Sequence, residues 1–210
     1  MITVYSLSAF RPELKGVIRD IRVVWTLEEL GVPYTRKVMD PMKGEHKTDA
    51  YKKINPFGKV PVIDDDGFTL FESAAICTYL GDKYSMLVPN RTSKERVIFD
   101  QWLACAISTI EPMAMRVFGF DMFTEKNAVT EKLRAEALAS LNGLLGVLDH
   151  ELTLRPYLAG ETFSVVDLIL SSVCRAVSHT EVTAKHQALD RYLNRNFERS
   201  AFEKALENNG

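Results

Sequence analysis

The sequence contains few cysteines, and they lie far apart. Cys77, Cys105 and Cys174 are the three cysteines among 210 residues, an odd number without a Cys-x-x-Cys pair. Such a set encodes neither a disulfide framework nor a zinc site. The four histidines, at positions 46, 150, 179 and 186, also lack the spacing of metal ligands. The sequence therefore predicts a protein without a metal in a reducing compartment, and we expect a cytoplasmic location.

The sequence also lacks an excess of charge of either sign and a long apolar run. Lys and Arg number 26 and Asp and Glu number 28, which gives a net charge of −2. This balance is unlike that of a general nucleic-acid binder. The apolar runs are shorter than the roughly 18 residues of a membrane span, and the N-terminus lacks the basic and apolar segments of a secretion signal. We expect neither nucleic acid nor a membrane as a partner.

Residues 1–82 alternate strand-like runs with helical ones. The runs 2–5, 34–38, 59–63 and 68–71 are rich in β-branched and aromatic residues, which is typical of strands. Helices are predicted from about Val17 to a stop at Gly31, around residues 46–53 and from Glu72. A tight-turn sequence, Asp65-Asp66-Gly67, separates the last two strands and predicts that they pair antiparallel. The predicted order is βαβαββα.

The remainder of the sequence is predicted to be all-α. Strand signals end after Lys83, and residues 83–92 resemble an interdomain linker. Helical periodicity covers residues 93–117, 125–152, 164–178, 185–195 and 201–207. Ser164 and Asp167 are placed as a capping box at the start of the third of these helices, where we expect a structural role. The sequence thus predicts an α/β domain over 1–82 and an all-helical domain over 93–210.

Two motifs carry a resemblance to a known family. Asn55-Pro56-Phe57-Gly58-Lys59-Val60-Pro61-Val62-Ile63, followed by Phe71-Glu72-Ser73-Ala74-Ala75-Ile76, resembles the glutathione-binding signature of cytosolic glutathione S-transferases. The segments 27–34, 160–167 and 199–202 are also similar to that family, so the resemblance covers nearly the whole chain. We interpret it as bacterial-type, with the class unassigned. It implies a thioredoxin-like N-terminal domain that binds glutathione as co-substrate, an all-α C-terminal domain and a homodimer.

The dipeptide Val60-Pro61 is the first candidate binding element. A proline at a strand start removes a backbone donor, and an X-Pro bond can be cis, so Val60 can present its amide and carbonyl outward. An extended peptide can pair with such groups. In the family resembled here, the cysteinyl backbone of glutathione pairs at this residue. The alternative is a proline that only ends a strand.

Glu72 and Ser73 open a helix, and the N-terminus of a helix favours an anion. The resemblance implies that Ser73 holds the γ-glutamyl carboxylate of glutathione and that Glu72 holds its ammonium group. Simple helix capping is the alternative. Lys47 and Lys59 are candidates for the glycyl carboxylate, with plain solvation at the surface as the alternative.

The thiolate-stabilising group is where the sequence departs from the family. The family uses Tyr, Ser or Cys just after the first strand, whereas the corresponding position here is Phe10, which has no hydrogen-bond donor. Ser8 is the first candidate for a catalytic donor and Tyr5 the second. Packing of Tyr5 in the core and an ordinary loop role for the serine are the alternatives.

An apolar pocket for the electrophile is expected in part from the second domain. Its candidate residues are Phe10, Met113, Met115 and Phe118. A Met and Phe stripe at helical spacing is more often plain core, which is the alternative for the last three.

The function predicted by this resemblance is the addition of the glutathione thiolate to a small apolar electrophile. A second possibility is a glutathione-dependent isomerase, since Tyr5-Ser6 and Phe10-Arg11 are similar to the first loop of maleylacetoacetate isomerases, although Pro12 replaces the serine found there. The third is a non-catalytic module that binds glutathione or a partner through the same fold, which Phe10 favours.

Overall fold

The computed structural model describes residues 1–208. They form two compact units: one comprises Met1–Val88 together with the residues from Arg199 onward, and the other is Pro89–Glu198.

The first unit is built on a four-stranded sheet. Its elements are β1 (Ile2–Leu7), α1 (Asp20–Leu30), β2 (Tyr34–Met39), α2 (Asp49–Lys52), β3 (Val62–Asp65), β4 (Phe68–Phe71) and α3 (Ser73–Tyr84), with single 3-10 turns at Pro12–Leu14 and Glu45–Lys47. The strand order is β2-β1-β3-β4. β1 runs parallel to β2, and β3 is antiparallel to both β1 and β4. The predicted βαβαββα order and thioredoxin-like arrangement are therefore confirmed.

The centre of this sheet is apolar because the middle strands are covered by helices. Val4 of β1 pairs with Ile63 of β3, and both side chains are fully buried. Helices α1 and α3 pack against each other. Their buried residues include Trp25 and Leu80, each with no exposed surface. This packing sets α1 beside the N-terminal end of α3, where the candidate binding residues begin.

The turn between β3 and β4 has the chemistry that its sequence predicts. Asp66 and Gly67 both have positive φ, 52° and 92°. A two-residue turn of this hand matches the twist of the strands that it joins. The Gly67 amide donates to the Asp64 carboxylate over 2.7 Å, which closes the turn.

The second unit is a helical bundle. It contains α4 (Lys94–Cys105), α5 (Glu111–Phe123), α6 (Ala128–Leu154), α7 (Val165–Arg175) and α8 (Gln187–Phe197). Every residue of α7 from Val165 to Cys174 is buried. This helix contacts α4, α5 and α8, so it is the core of the bundle. The all-α prediction for this part of the chain is confirmed.

Helices α4 and α5 are joined by a π-helical turn, Ala106–Ile110. Pro112 follows this turn. A proline has no N–H and its ring crowds the carbonyl four residues earlier, so a widened turn accommodates it without ending the helix. Within residues 1–208, the continuous run Lys94–Phe123 is the one helix long and apolar enough to cross a membrane by length and composition, a test that core helices of soluble proteins also pass.

The last helix, α9 (Ser200–Glu207), packs on α1 in the first unit. The ring centroids of Trp25 and Phe202 lie 4.5 Å apart. The sequence predicts this segment as part of the helical domain, because local periodicity shows that a helix is amphipathic but not which surface covers its apolar face. In the structure that surface belongs to α1.

The start of α7 is held by Asp167. Its Oδ2 accepts from the amide and hydroxyl of Ser164, at 2.8 and 2.9 Å, which confirms the predicted capping box. Its Oδ1 accepts from the Leu158 amide at 3.3 Å and the Tyr192 hydroxyl at 2.8 Å. Burial raises the pKa of Asp167, and these hydrogen bonds oppose that effect. The carboxylate therefore joins the loop before α7 to α8 as well as capping the helix.

Candidate functional site

The N-terminus of α3 carries the first group of candidate residues. Glu72 precedes the helix with φ 71° and ψ 110°, a conformation that is unusual for a residue with a side chain. Its side chain is exposed, whereas Ser73 is buried. The Arg22 guanidinium of α1 donates to the Ser73 hydroxyl over 3.2 Å. A strained residue, a helix N-terminus and a cation thus meet at one place, which suits an anionic group.

The sequence does not mark Arg22 as a site residue, although Arg22 lies near the start of a predicted helix. It is only 3% exposed. No local pattern signals its role, because its hydrogen-bond partner Ser73 is 51 positions away along the chain.

The loop before β3 presents the second group. The Val60-Pro61 bond is cis. Within residues 1–208, no backbone hydrogen bond involves Val60. The preceding carbonyl, that of Lys59, accepts from the Tyr51 hydroxyl and the Asn55 amide, both at 2.8 Å. The loop is therefore held at Lys59 while the polar backbone groups of Val60 remain open to an extended ligand.

Three nitrogen-bearing side chains converge beside this loop. The Lys47 ammonium donates to the Gly58 carbonyl over 3.0 Å. Burial lowers the pKa of His46, and the nearby positive charges of Lys47 and Lys59 lower it further. His46 Nδ1 is buried and has no hydrogen-bond partner among the described residues. The cluster has the chemistry of an anion subsite.

Gly58 allows the loop before β3 to lie close to the 3-10 turn that contains His46. Its φ is +56°, and a Cβ at this position would lie 2.8 Å from the His46 carbonyl oxygen. Glycine is therefore required here. The sequence signals this neighbourhood only through Lys47, because the approach of the His46 carbonyl to Gly58 arises from the fold.

The candidate thiolate donors lie at the end of β1. Tyr5 is 9% exposed, and its ring lies 5.9 Å from that of Tyr51 in the core, as the packing alternative predicted. Ser8 is half-buried, and both its amide and its hydroxyl are directed to the Met39 carbonyl, at 3.0 and 3.4 Å. Phe10 is 45% exposed. Of the two candidates, Ser8 is the more accessible.

The electrophile-pocket candidates of the second unit lie on α5. Met113 and Met115 are half-buried. Phe118 is 4% exposed and packs edge-on against Phe123, with 5.9 Å between the ring centroids. The core alternative therefore describes Phe118, while the two methionines retain exposed surface.

Comparison with known protein families matches most of the chain. The glutathione S-transferase N-terminal domain profile matches residues 21–83, and the C-terminal domain profile of the same family matches residues 105–200. Glutathione S-transferase F9 of Arabidopsis thaliana is 36% identical over 152 residues, which is 70% of this chain and 71% of the relative. Glutathione S-transferase hmp2 of Hypomyces subiculosus is 32% identical over 184 residues, 82% and 86% of the two chains.

Solved structures agree with this assignment. Poplar glutathione transferase F1 superposes with a TM-score of 0.86 at 28% identity, covering 99% of this chain and 97% of that one. Glutathione transferase URE2P6 of Phanerochaete chrysosporium was crystallised with oxidised glutathione. It superposes with a TM-score of 0.87 at 26% identity, covering 99% of this chain and 96% of that one.

The chain belongs to the glutathione S-transferase family. These relatives come from plants and fungi, so the interpretation as a bacterial-type member is not supported. Their names and the two matched domains describe a glutathione transferase enzyme, as the sequence analysis predicted.

Proposed function

We propose that the protein binds glutathione in the first unit and adds its thiolate to a small apolar electrophile. The observation that carries the proposal is the N-terminus of α3, where Ser73 follows the positive-φ residue Glu72 and accepts a hydrogen bond from Arg22. The complex of URE2P6 with oxidised glutathione supports it, since that structure shares the fold.

Each part of glutathione has a matching group. The cysteinyl backbone pairs with the amide and carbonyl of Val60, ahead of Pro61, as an added strand would. The γ-glutamyl carboxylate is held by Ser73 at the helix N-terminus, and its ammonium by the exposed carboxylate of Glu72.

The glycyl carboxylate is assigned to the anion subsite. Lys47 and Lys59 supply positive charge, and the unpartnered Nδ1 of His46 adds a further polar contact. No metal takes part in this scheme, and residues 1–208 contain no cluster of metal-ligating side chains.

The chemistry requires a glutathione thiolate. A free thiol has a pKa of about 8.5, so a hydrogen bond to the sulfur favours the anion. Ser8 is the proposed donor, with Tyr5 second. The thiolate forms a bond to the electrophilic carbon, and the electron pair of the broken bond leaves with the displaced group or moves onto the substrate. Phe10, Met113, Met115 and Phe118 are the proposed apolar contacts of the electrophile.

Calorimetry of glutathione binding to a Ser73→Ala variant tests the site. Loss of a hydrogen bond to a charged group weakens binding by about 1–3 kcal/mol, which is about 5- to 150-fold. Ser140→Ala is the matched control, because Ser140 is exposed and donates to the Glu136 carbonyl on its own helix. Equal affinity in Ser73→Ala and wild type, or no binding by the wild type at millimolar glutathione, would overturn the assignment.

The proposed assembly is a cytoplasmic homodimer. Phe57 and Phe68 of the first unit are 66% and 53% exposed, and Val97 of the second is 67% exposed. We take these side chains as candidates for the surface that a two-fold partner covers. The three cysteines are free thiols, which suits a reducing compartment. Sedimentation at micromolar concentration should give the mass of two chains, and the mass of one chain would contradict the proposal.

A further inference from the structure

Residues 199–208, which we term the C-terminal strap, lie against α1 within the first unit. The buried residues of α9, the helix of the strap, are Ala201, Phe202 and Ala205. Phe202 is 3% exposed and its ring packs on that of Trp25, which has no exposed surface. The strap therefore covers one side of α1 with a packed apolar contact.

Polar contacts fix both ends of the strap. At its start, Arg199 binds the Glu29 carboxylate of α1 through two hydrogen bonds. At its end, the side-chain amide of Asn208 donates to Glu28 over 3.0 Å, and the Arg36 guanidinium of β2 donates to the Asn208 carbonyl. These contacts set the position of the strap along α1, which apolar burial alone would not do.

Helix α1 also carries a contact to the proposed glutathione site. Arg22, about one turn before Trp25, is 3% exposed and donates to the Ser73 hydroxyl. The Arg22 carbonyl accepts from Thr26 Oγ1 at 2.8 Å and from the Cys77 thiol of α3 at 3.5 Å. Since α1 contacts both α9 and α3, it connects the strap to the helix that Ser73 begins.

The contact between Arg22 and Ser73 is sensitive to the position of α1. Its length of 3.2 Å lies at the long end of the range for an N–H···O hydrogen bond. Arg22 and Trp25 are carried by the same hydrogen-bonded helix, so a displacement of α1 at Trp25 also displaces Arg22. The packing of Phe202 on Trp25 therefore bears on the geometry at Ser73.

We propose that the C-terminal strap raises the affinity for glutathione by holding α1 where Arg22 reaches Ser73. Phe202 is the main positioning residue, and Arg199 and Asn208 fix the ends. The inference rests on the proposed function, because it concerns glutathione bound at Ser73. Two binding events that are coupled stabilise each other by the same factor, so bound glutathione also holds the strap in place.

Calorimetry of glutathione binding to a Phe202→Ala variant is the first test. Loss of the ring leaves a cavity beside Trp25. We expect the dissociation constant for glutathione to rise about fivefold or more, since coupling between sites starts near this value. Phe202→Leu keeps an apolar side chain against Trp25 and should bind glutathione nearly as the wild type does.

Leu193→Ala is the matched control for Phe202→Ala. Leu193 is 4% exposed and lies on α8 of the second unit, so its truncation removes a similarly buried side chain from another core. This variant should be destabilised, yet its affinity for glutathione should equal that of the wild type. The comparison separates positioning of α1 from a general loss of stability.

Hydrogen exchange of the wild type tests the reciprocal effect without a substitution. Undocking of the strap from glutathione-bound protein also breaks the contact between Arg22 and Ser73. Saturating glutathione should therefore slow the exchange of the α9 backbone amides about fivefold or more, beyond any slowing of the α8 amides.

The outcomes distinguish this inference from the proposed function. Unchanged affinity in Phe202→Ala, an equal loss of affinity in Leu193→Ala, or unchanged exchange of α9 on binding of glutathione overturns the inference alone. A wild type that does not bind glutathione at millimolar concentration overturns the proposed function together with the inference.

Discussion

Arg199 and Glu29 form a two-bond ion pair within the first unit. Arg199 Nε lies 2.6 Å from Glu29 Oε1, and Nη2 lies 2.7 Å from Oε2. Glu29 is 8% exposed and also accepts from the Trp25 indole over 3.0 Å. Because Arg199 directly precedes α9 and Glu29 lies in the last turns of α1, this pair holds the start of the last helix on the sheet-bearing unit.

An Arg199→Lys substitution should destabilise the protein. An ammonium group makes one contact where the guanidinium makes two, and Glu29 is left partly unpaired in a largely buried position. We expect a loss of about 1–2 kcal/mol in the free energy of unfolding, measured by urea denaturation. Arg191→Lys, at an exposed position of α8, should change it by less than about 0.5 kcal/mol. Equal effects of the two substitutions would contradict a special role for the ion pair.

Asp167→Asn should lower the free energy of unfolding more than the loss of an exposed charge does. Each of the two carboxylate oxygens of Asp167 accepts two hydrogen bonds. In asparagine an NH2 group replaces one of these oxygens, and it cannot accept the two bonds made there. Leaving buried donors unpaired should cost about 2–4 kcal/mol, read from denaturant unfolding. The exposed Glu161→Gln, in the same connection before α7, is the matched control. A mild effect in Asp167→Asn would show that the network relaxes around the amide.

The thiolate donor can be identified by titration of bound glutathione. Ser8→Ala should raise the apparent pKa of the bound thiol by about one unit for each 1.4 kcal/mol of lost preference for the thiolate. Tyr5→Phe should leave it unchanged, because the ring of Tyr5 is packed in the core. The measurement is the ultraviolet absorbance of the thiolate across pH. If neither substitution moves the titration, a backbone amide or a basic side chain such as Arg11 takes this role.

The stability of the fold should fall as His46 becomes protonated. Its pKa is lowered in the folded state, first by burial and then by Lys47 and Lys59. As pH falls from neutral through about 6.5, the unfolded chain therefore takes up this proton first, and the free energy of unfolding decreases. His46→Gln should flatten the pH dependence in this range. His150→Gln, at an exposed position, should retain it; an unchanged slope in His46→Gln would refute the assignment.

Some of the candidate site follows from short-range patterns. Asp66-Gly67 predicts the β3–β4 turn, and Ser164 with Asp167 predicts the capping of α7. Both patterns depend on residues that are neighbours along the chain, and the structure confirms both. The strand predicted over residues 59–63 begins only at Val62, because the cis Val60-Pro61 bond precedes it.

Other parts of the site could not be predicted because their partners are distant in sequence. Ser73 meets Arg22 from 51 positions away, and Arg199 meets Glu29 from 170 positions away. The neighbourhood of His46 depends on the close approach of its carbonyl to Gly58.

The amino-acid sequence by itself determined the order of strands and helices, the division into an α/β part and a helical part, and the family motifs around Val60 and Ser73. These properties follow from hydrophobic periodicity, turn chemistry and caps, which act over one or two turns of chain. The tertiary structure alone decided that Tyr5 is a core residue, that α9 rests on α1 and that Arg22 donates to Ser73. Burial and the pairing of distant charges depend on which surfaces meet, and no local pattern carries that information.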